Sequence, residues 1–134
     1  VIHYHGEIVK LSIDYNQKIN MVAISSNDII EYPQDSPERM KELWNSLNLS
    51  FPYLFDETQQ IAKKYKAECT PEFYLFNHQN KLEYRGRMDE TSPGSDKLPS
   101  GKDLRMAIDN LLSNQPICKE QLPSMGCNIK WKAN

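Results

Sequence analysis

The chain has 134 residues, 39% of them hydrophobic and 25% charged, with a formal net charge of −2. That is the size of one domain with a single core. The lysines are scattered with no basic stripe, which argues against a nucleic-acid surface, and no apolar run approaches the roughly 20 residues that span a bilayer.

Val1 to Gln17 reads as a helix. Tyr4, Ile8, Leu11 and Tyr15 fall at steps of four, three and four and form one apolar stripe. No capping residue precedes it and residue 1 is valine, so the chain is expected to start inside an element. Ile19 to Ser25 is a short run rich in branched residues, which predicts a buried strand. Ser26 to Gln34 is a polar loop. Ser36-Pro37-Glu38 then supplies a cap hydroxyl, a proline for the first turn and an acid for the positive end of the dipole. Met40, Leu43, Trp44 and Leu47 repeat at helical spacing as its core face.

Phe51 to Phe55 is a brief extended segment. Asp56, with Gln59 three residues on, has the pattern of a capping box before a helix whose Ile61, Ala62 and Tyr65 are expected to face inward. Glu68-Cys69-Thr70-Pro71 leads into the apolar run Phe73–Phe76. Proline cannot donate to a ladder but is tolerated at the start of a strand, and a Thr-Pro bond there fits either peptide isomer. His78-Gln79-Asn80 connects a hairpin to the return strand Leu82–Gly86. Met88 to Pro99 is a polar loop. Ser100 and Asp103 form a second capping-box pattern, and Leu104, Ile108, Leu111 and Leu112 carry the last helix. The tail from Asn114 ends in Cys127-Asn128-Ile129-Lys130-Trp131, with Ile129 and Trp131 available for docking. The expected domain is 1–113, with 114–134 a tail packed on it. Strands alternating with helices predict a layered α/β domain.

Cys69, Cys118 and Cys127 are too few and too far apart for a disulfide framework, and no Cys-x-x-Cys occurs. No cysteine–histidine pair has zinc-ligand spacing. His3 and His5, two apart, point in different directions on a helix and read as surface or capping residues. No metal and no other cofactor is expected. With no export signal in view, the scattered cysteines point to the cytoplasm.

The element order and the Thr-Pro step resemble the thioredoxin fold. NMVAISSND, YPQDSPERM, FPYLFDETQQIAKKY, CTPEFYLF, YRGRMD and GCNIKWK together resemble the thiol-disulfide isomerase/redoxin branch of that superfamily, related to the alkyl hydroperoxide reductase/thiol-specific antioxidant group. The resemblance covers nearly the whole chain. It implies a three-layer α/β/α sandwich around a mixed sheet. It also implies a Cys-x-x-Cys-Pro motif and two strands, expected immediately before Val1. A central strand of about five residues contributes roughly 1.5–3 kcal/mol per large apolar side chain, comparable in sum to a domain's net stability of about 5–15 kcal/mol. Residues 1–134 are therefore expected not to fold alone. A preceding segment or a second chain, as in an oligomer, would complete the sheet.

The implied chemistry is thiol-disulfide exchange on protein or small-molecule disulfides, or, in a peroxidase variant, thiolate attack on a hydroperoxide. A free thiol of pKa about 8.5 is about 3% ionised at pH 7, and a helix N-terminus that brings it near 7 raises that roughly fifteenfold. The resemblance gives Thr70 and Pro71 a substrate-binding role, the Thr70 backbone pairing with an extended substrate. Cys69 is a candidate resolving or regulatory thiol, against the simpler reading of a packed side chain. Cys127 reads as a packed tail thiol and Cys118 as incidental. Asp56, Glu72 and Asp89 are acids within reach of a pocket, Glu72 reading as a solvated strand-edge group. Arg85 and Arg87 read as the wet face of a strand, with an anionic partner as the alternative. A non-catalytic module binding extended peptides at Thr70-Pro71 is the competing function.

Overall fold

The computed structural model describes residues 2–133, and the expected helix start at Val1 lies outside them. In chain order the elements are a 3₁₀ turn (Ile2–Tyr4), α1 (His5–Asp14), β1 (Ala23–Ser25), a 3₁₀ turn (Pro33–Asp35), α2 (Pro37–Ser46), β2 (Tyr53–Phe55), α3 (Gln60–Lys64), β3 (Cys69–Thr70), β4 (Phe73–Phe76), β5 (Leu82–Gly86), α4 (Lys102–Leu112) and β6 (Cys127–Asn128). The architecture is mixed α/β. The described strands pair as two-stranded pieces. No described helix is long and apolar enough to cross a membrane.

Two compact units emerge: residues up to Leu11 with Cys69–Cys127, and Ser12–Glu68 with residues from Asn128 on. The first is built on the β4–β5 hairpin, antiparallel as the turn residues predict. Phe73 faces Gly86, Tyr74 faces Arg85 and Leu75 faces Tyr84, with an irregularity between Leu75 and Phe76. Asn80 takes the left-handed conformation the turn requires (φ 61°). Tyr4, Leu11, Leu75, Tyr84, Met88, Leu104, Ala107 and Ile108 are the buried apolar side chains of this unit. Leu112, expected inside, is exposed, because it lies in the last turn of α4.

In the second unit, β1 and β2 pair in parallel, Ile24 opposite Leu54. Ile19–Ser25 is not a strand buried on both faces. Ala23, Ser25, Tyr53 and Phe55 are half-buried while Ile24 and Leu54 are 43% and 51% exposed, the alternation of a pair with one open face. α2 begins as its residues predict. Ser36 Oγ accepts from Arg39 N at 3.4 Å, and Pro37 stands in the first turn. Trp44 packs edge-on against Phe51 and Tyr53, at 5.4 and 4.7 Å between ring centroids, and donates to the Phe51 carbonyl at 2.9 Å.

Asp56 and Gln59 do not make a capping box. Gln59 is left-handed (φ 65°), so α3 starts only at Gln60. The Asp56 carboxylate reaches forward, accepting from Ile61 N and Ala62 N at 3.3 and 3.0 Å and from the Ser26 hydroxyl at 2.8 Å. Burial works against its charge, but these bonds outweigh burial and hold its pKa below the ordinary value. The Gln59 amide instead ties in the tail, donating to Ser26 O and Lys130 O and accepting from Lys132 N. Only Ala62 of α3 is buried; Ile61 and Tyr65 are exposed, since a helix of five residues has too little face to cover both. Ile129 docks (6% exposed), while Trp131 stays 43% exposed with the Lys63 ammonium 5.9 Å from its ring centre.

Candidate active site

The first unit carries the residues to which the resemblance gives chemistry. Cys69 and Thr70 form β3, Pro71 follows, and β4 starts two residues later. The Thr70–Pro71 peptide bond is cis, one of the two isomers the sequence leaves open. Cys69 is half-buried and Cys118 exposed; Cys127, expected as a packed tail thiol, is exposed as well, and all three are free thiols.

Glu72 is not a solvated edge carboxylate. It accepts from Arg85 Nε at 2.9 Å, with its side chain 11% exposed. The register places Tyr74 opposite Arg85, whose guanidinium carbon lies 5.4 Å from the ring centre. Burial, then the nearby Glu72 charge, push the Tyr74 phenol up to about 12, so it stays protonated at neutral pH. Arg87 pairs with Asp103 at 2.6 Å. The two arginines, Arg85 on β5 and Arg87 just past its end, are thus locked in ion pairs rather than forming a bare wet face.

The tail runs along the hairpin. Arg85 N donates to Gln121 Oε1 at 2.9 Å, Gln121 Nε2 to Glu83 O at 2.8 Å, Arg87 N to Leu122 O at 3.0 Å, and Ser124 Oγ to Gly86 O at 2.8 Å. It then reaches β3, where the Thr70 hydroxyl donates to Cys127 O at 3.4 Å. Gly126 approaches so closely that a Cβ there would lie 2.2 Å from the Thr70 carbonyl oxygen. The Thr70 carbonyl therefore faces the chain's own tail.

At the front of α1 stands a buried polar network. Asp89, 1% exposed, accepts from Thr91 N, Ser100 N and Gly101 N, each at 2.8 Å, and from the Thr91 hydroxyl at 2.5 Å. Burial alone would raise its pKa, but these bonds outweigh burial and lower it. The Thr91 hydroxyl gives its one proton to Asp89, so in the 3.0 Å contact with His3 it accepts and His3 Nε2 donates. Tyr4 Oη donates to Thr91 O at 2.9 Å. Glu7, in the first turn of α1, accepts from Arg105 Nε at 2.7 Å. Burial lowers the His5 pKa below the ordinary imidazole value.

The expected Ser100–Asp103 box is absent. Gly101 is left-handed (φ 68°) and caps α4 without a side chain. The Met88 carbonyl accepts from Leu104 N at 3.0 Å, and Asp89 takes the N–H groups just before the helix, while Asp103 is diverted to Arg87. Of the three acids singled out, Asp89 joins the front of α1, Glu72 joins β5, and Asp56 belongs to the second unit. Among the described residues no group of three His, Cys, Asp or Glu side chains has the arrangement to hold a metal. The residues sequence reasoning missed are Thr91, the Glu7–Arg105 pair, Gln121 and Gly126. Thr91 had a local signal, the Asp89-x-Thr91 spacing of an Asx-type turn; the others carry none, since each acts through a partner far along the chain.

Residues 8–85 match the AhpC/TSA family. No curated protein matches the chain. Among solved structures, an uncharacterized conserved protein from Geobacillus kaustophilus is 47% identical with a TM-score of 0.95, the match covering 100% of this chain and 71% of that one. A hypothetical protein from Sinorhizobium meliloti 1021 is 39% identical, also with a TM-score of 0.95, over 100% of this chain and 74% of that one. The chain belongs to the AhpC/TSA family, a thioredoxin-like group of thiol-dependent peroxidases and thiol-disulfide oxidoreductases.

Proposed function

We propose that the protein is a thiol-disulfide oxidoreductase of the redoxin type. Its reactive thiol pair is expected, from the resemblance, ahead of Val1, at the front of α1. There the helix N-terminus lowers the thiol pKa, and the described side chains of that end are held by Thr91 and Asp89. Thr70 and Pro71 form the substrate side of the site, and Cys69 serves as a packed neighbour rather than a reacting group. The completed domain is a three-layer sandwich around a mixed sheet, working in the cytoplasm without a cofactor. The observation that carries this reading is family membership over residues 8–85, a match that takes in the Thr70-Pro71 step opening β4.

In the reaction one thiolate attacks a substrate sulfur and expels a thiolate. The second enzyme thiol then closes the enzyme disulfide and releases the other substrate half as a thiol. Two electrons pass from the enzyme pair to the substrate, and dithiothreitol restores the pair. The test uses the complete encoded polypeptide with dithiothreitol, following reduction of oxidised glutathione beside consumption of hydrogen peroxide. Disulfide reduction at least about tenfold above the uncatalysed exchange is the expected result. Peroxide consumption alone would make the protein a peroxidase, and neither activity would make it a binding module.

A further inference from the structure

We propose that residues 121–127 are a fixed strap that closes the Thr70 backbone edge to polypeptides, so that the site takes low-molecular-weight disulfides. This narrows the substrate class of the function proposed above and rests on that reading. In an extended strand, the N–H and C=O of one residue point to the same side, and those of its neighbours to the other. The side to which the Thr70 carbonyl points is occupied by Gly126, and the Thr70 hydroxyl is spent on Cys127 O. A substrate that needs Thr70 as a pairing partner must first displace this segment.

The seam is built for close contact at two points. A Cβ at Gly126 would meet the Thr70 carbonyl oxygen at 2.2 Å, and one at Gly86 would meet the Leu122 carbonyl oxygen at 2.3 Å. Two of the chain's five glycines thus permit backbone-to-backbone approach where any side chain would force the tail away. Just before Leu122, Gln121 bridges the backbone of Glu83 and Arg85, and between the two points Ser124 holds Gly86. A competing peptide is weakened by the fraction of time the strap is open, about a hundredfold for a strap open one hundredth of the time. A small disulfide needs only access to one sulfur and pays no such penalty.

The experiment compares the complete polypeptide with two loosened forms, Gly126→Val and the double variant Gln121→Ala/Ser124→Ala, the second keeping the test alive should the first fail to fold. With dithiothreitol as reductant, kcat/KM is measured on oxidised glutathione and on insulin. The unaltered protein is expected to favour glutathione by about a hundredfold or more. Each loosened form is expected to gain at least about tenfold on insulin while changing less than about twofold on glutathione. Equal efficiency on both substrates before loosening, or an unchanged ratio after it, would overturn the proposal. If neither disulfide is reduced, the oxidoreductase reading fails and the strap is decided separately by fluorescence anisotropy with a labelled extended peptide. Binding to the loosened forms and not to the unaltered protein upholds it, and equal binding, or none to any form, overturns it.

Discussion

Replacing Asp89 with alanine is expected to lower the unfolding free energy by about 3 kcal/mol or more, since hydrogen bonds to a charged group are each worth about 1.5–3 kcal/mol. Asp89 is 1% exposed and accepts four bonds, three from backbone N–H groups. Truncation leaves those donors without their acceptor in a place water does not readily reach. It also frees Thr91, which holds Tyr4 and His3, and the segment at Ser100 and Gly101 that leads α4 out of its loop. Urea unfolding at pH 7 measures the loss. The pH dependence follows from the lowered pKa. A carboxyl depressed in the folded state stabilises above its ordinary value, 3.8 here, and that stability fades as pH falls through the lower folded value. The unaltered protein should therefore lose urea resistance as pH drops below about 4, and Asp89→Asn should lose less over the same range.

Arg105→Ala is the second large effect. Glu7 has a side chain 4% exposed, and Arg105 approaches it at 2.7 Å from 98 residues away along the chain. Removing one partner of a buried pair leaves a charge that must be neutralised or hydrated inside the protein, and about 3 kcal/mol of destabilisation is expected. The pair itself is worth far less than its rupture, because both ions were desolvated to form it. The double variant Glu7→Leu/Arg105→Met should thus recover to within about 1 kcal/mol of the unaltered protein. A thermodynamic cycle of urea midpoints checks both claims. A single variant that unfolds like the unaltered protein would mean that Glu7 gains another partner or water.

What the residues disclosed in advance was mostly local. The Ser36-Pro37 start of α2, the hairpin around Asn80 and the stripe of Tyr4, Ile8, Leu11 and Tyr15 depend on neighbours within a turn or two; the first two form as predicted, and the stripe is buried except at Ile8, which is half-buried. Both capping boxes failed because distant groups intervened: Gln59 is drawn to Lys130 and Lys132, and Asp103 to Arg87. Ile19–Ser25 looked like a buried strand because composition alone does not reveal which face a neighbour covers. At the candidate site, Cys69, Thr70 and Pro71 were visible as a motif. The Thr91–Asp89 network and the tail seam were not, because Gly126 and Thr70 meet across more than fifty positions and a glycine required by a partner backbone looks like any other glycine.

In the first unit the chain's own tail covers the Thr70 carbonyl, next to the cis Thr70–Pro71 bond. The decisive measurement is a pair of proton–nitrogen correlation spectra of the complete encoded polypeptide, one in dithiothreitol and one after oxidation. A reactive thiol pair at the front of α1 predicts that the shifts that move most belong to the N–H groups of the first turn of α1, of Thr70 and of the Gly126–Cys127 segment that covers it. Unmoved resonances at all of these, with the changes gathered elsewhere in the chain, would contradict it.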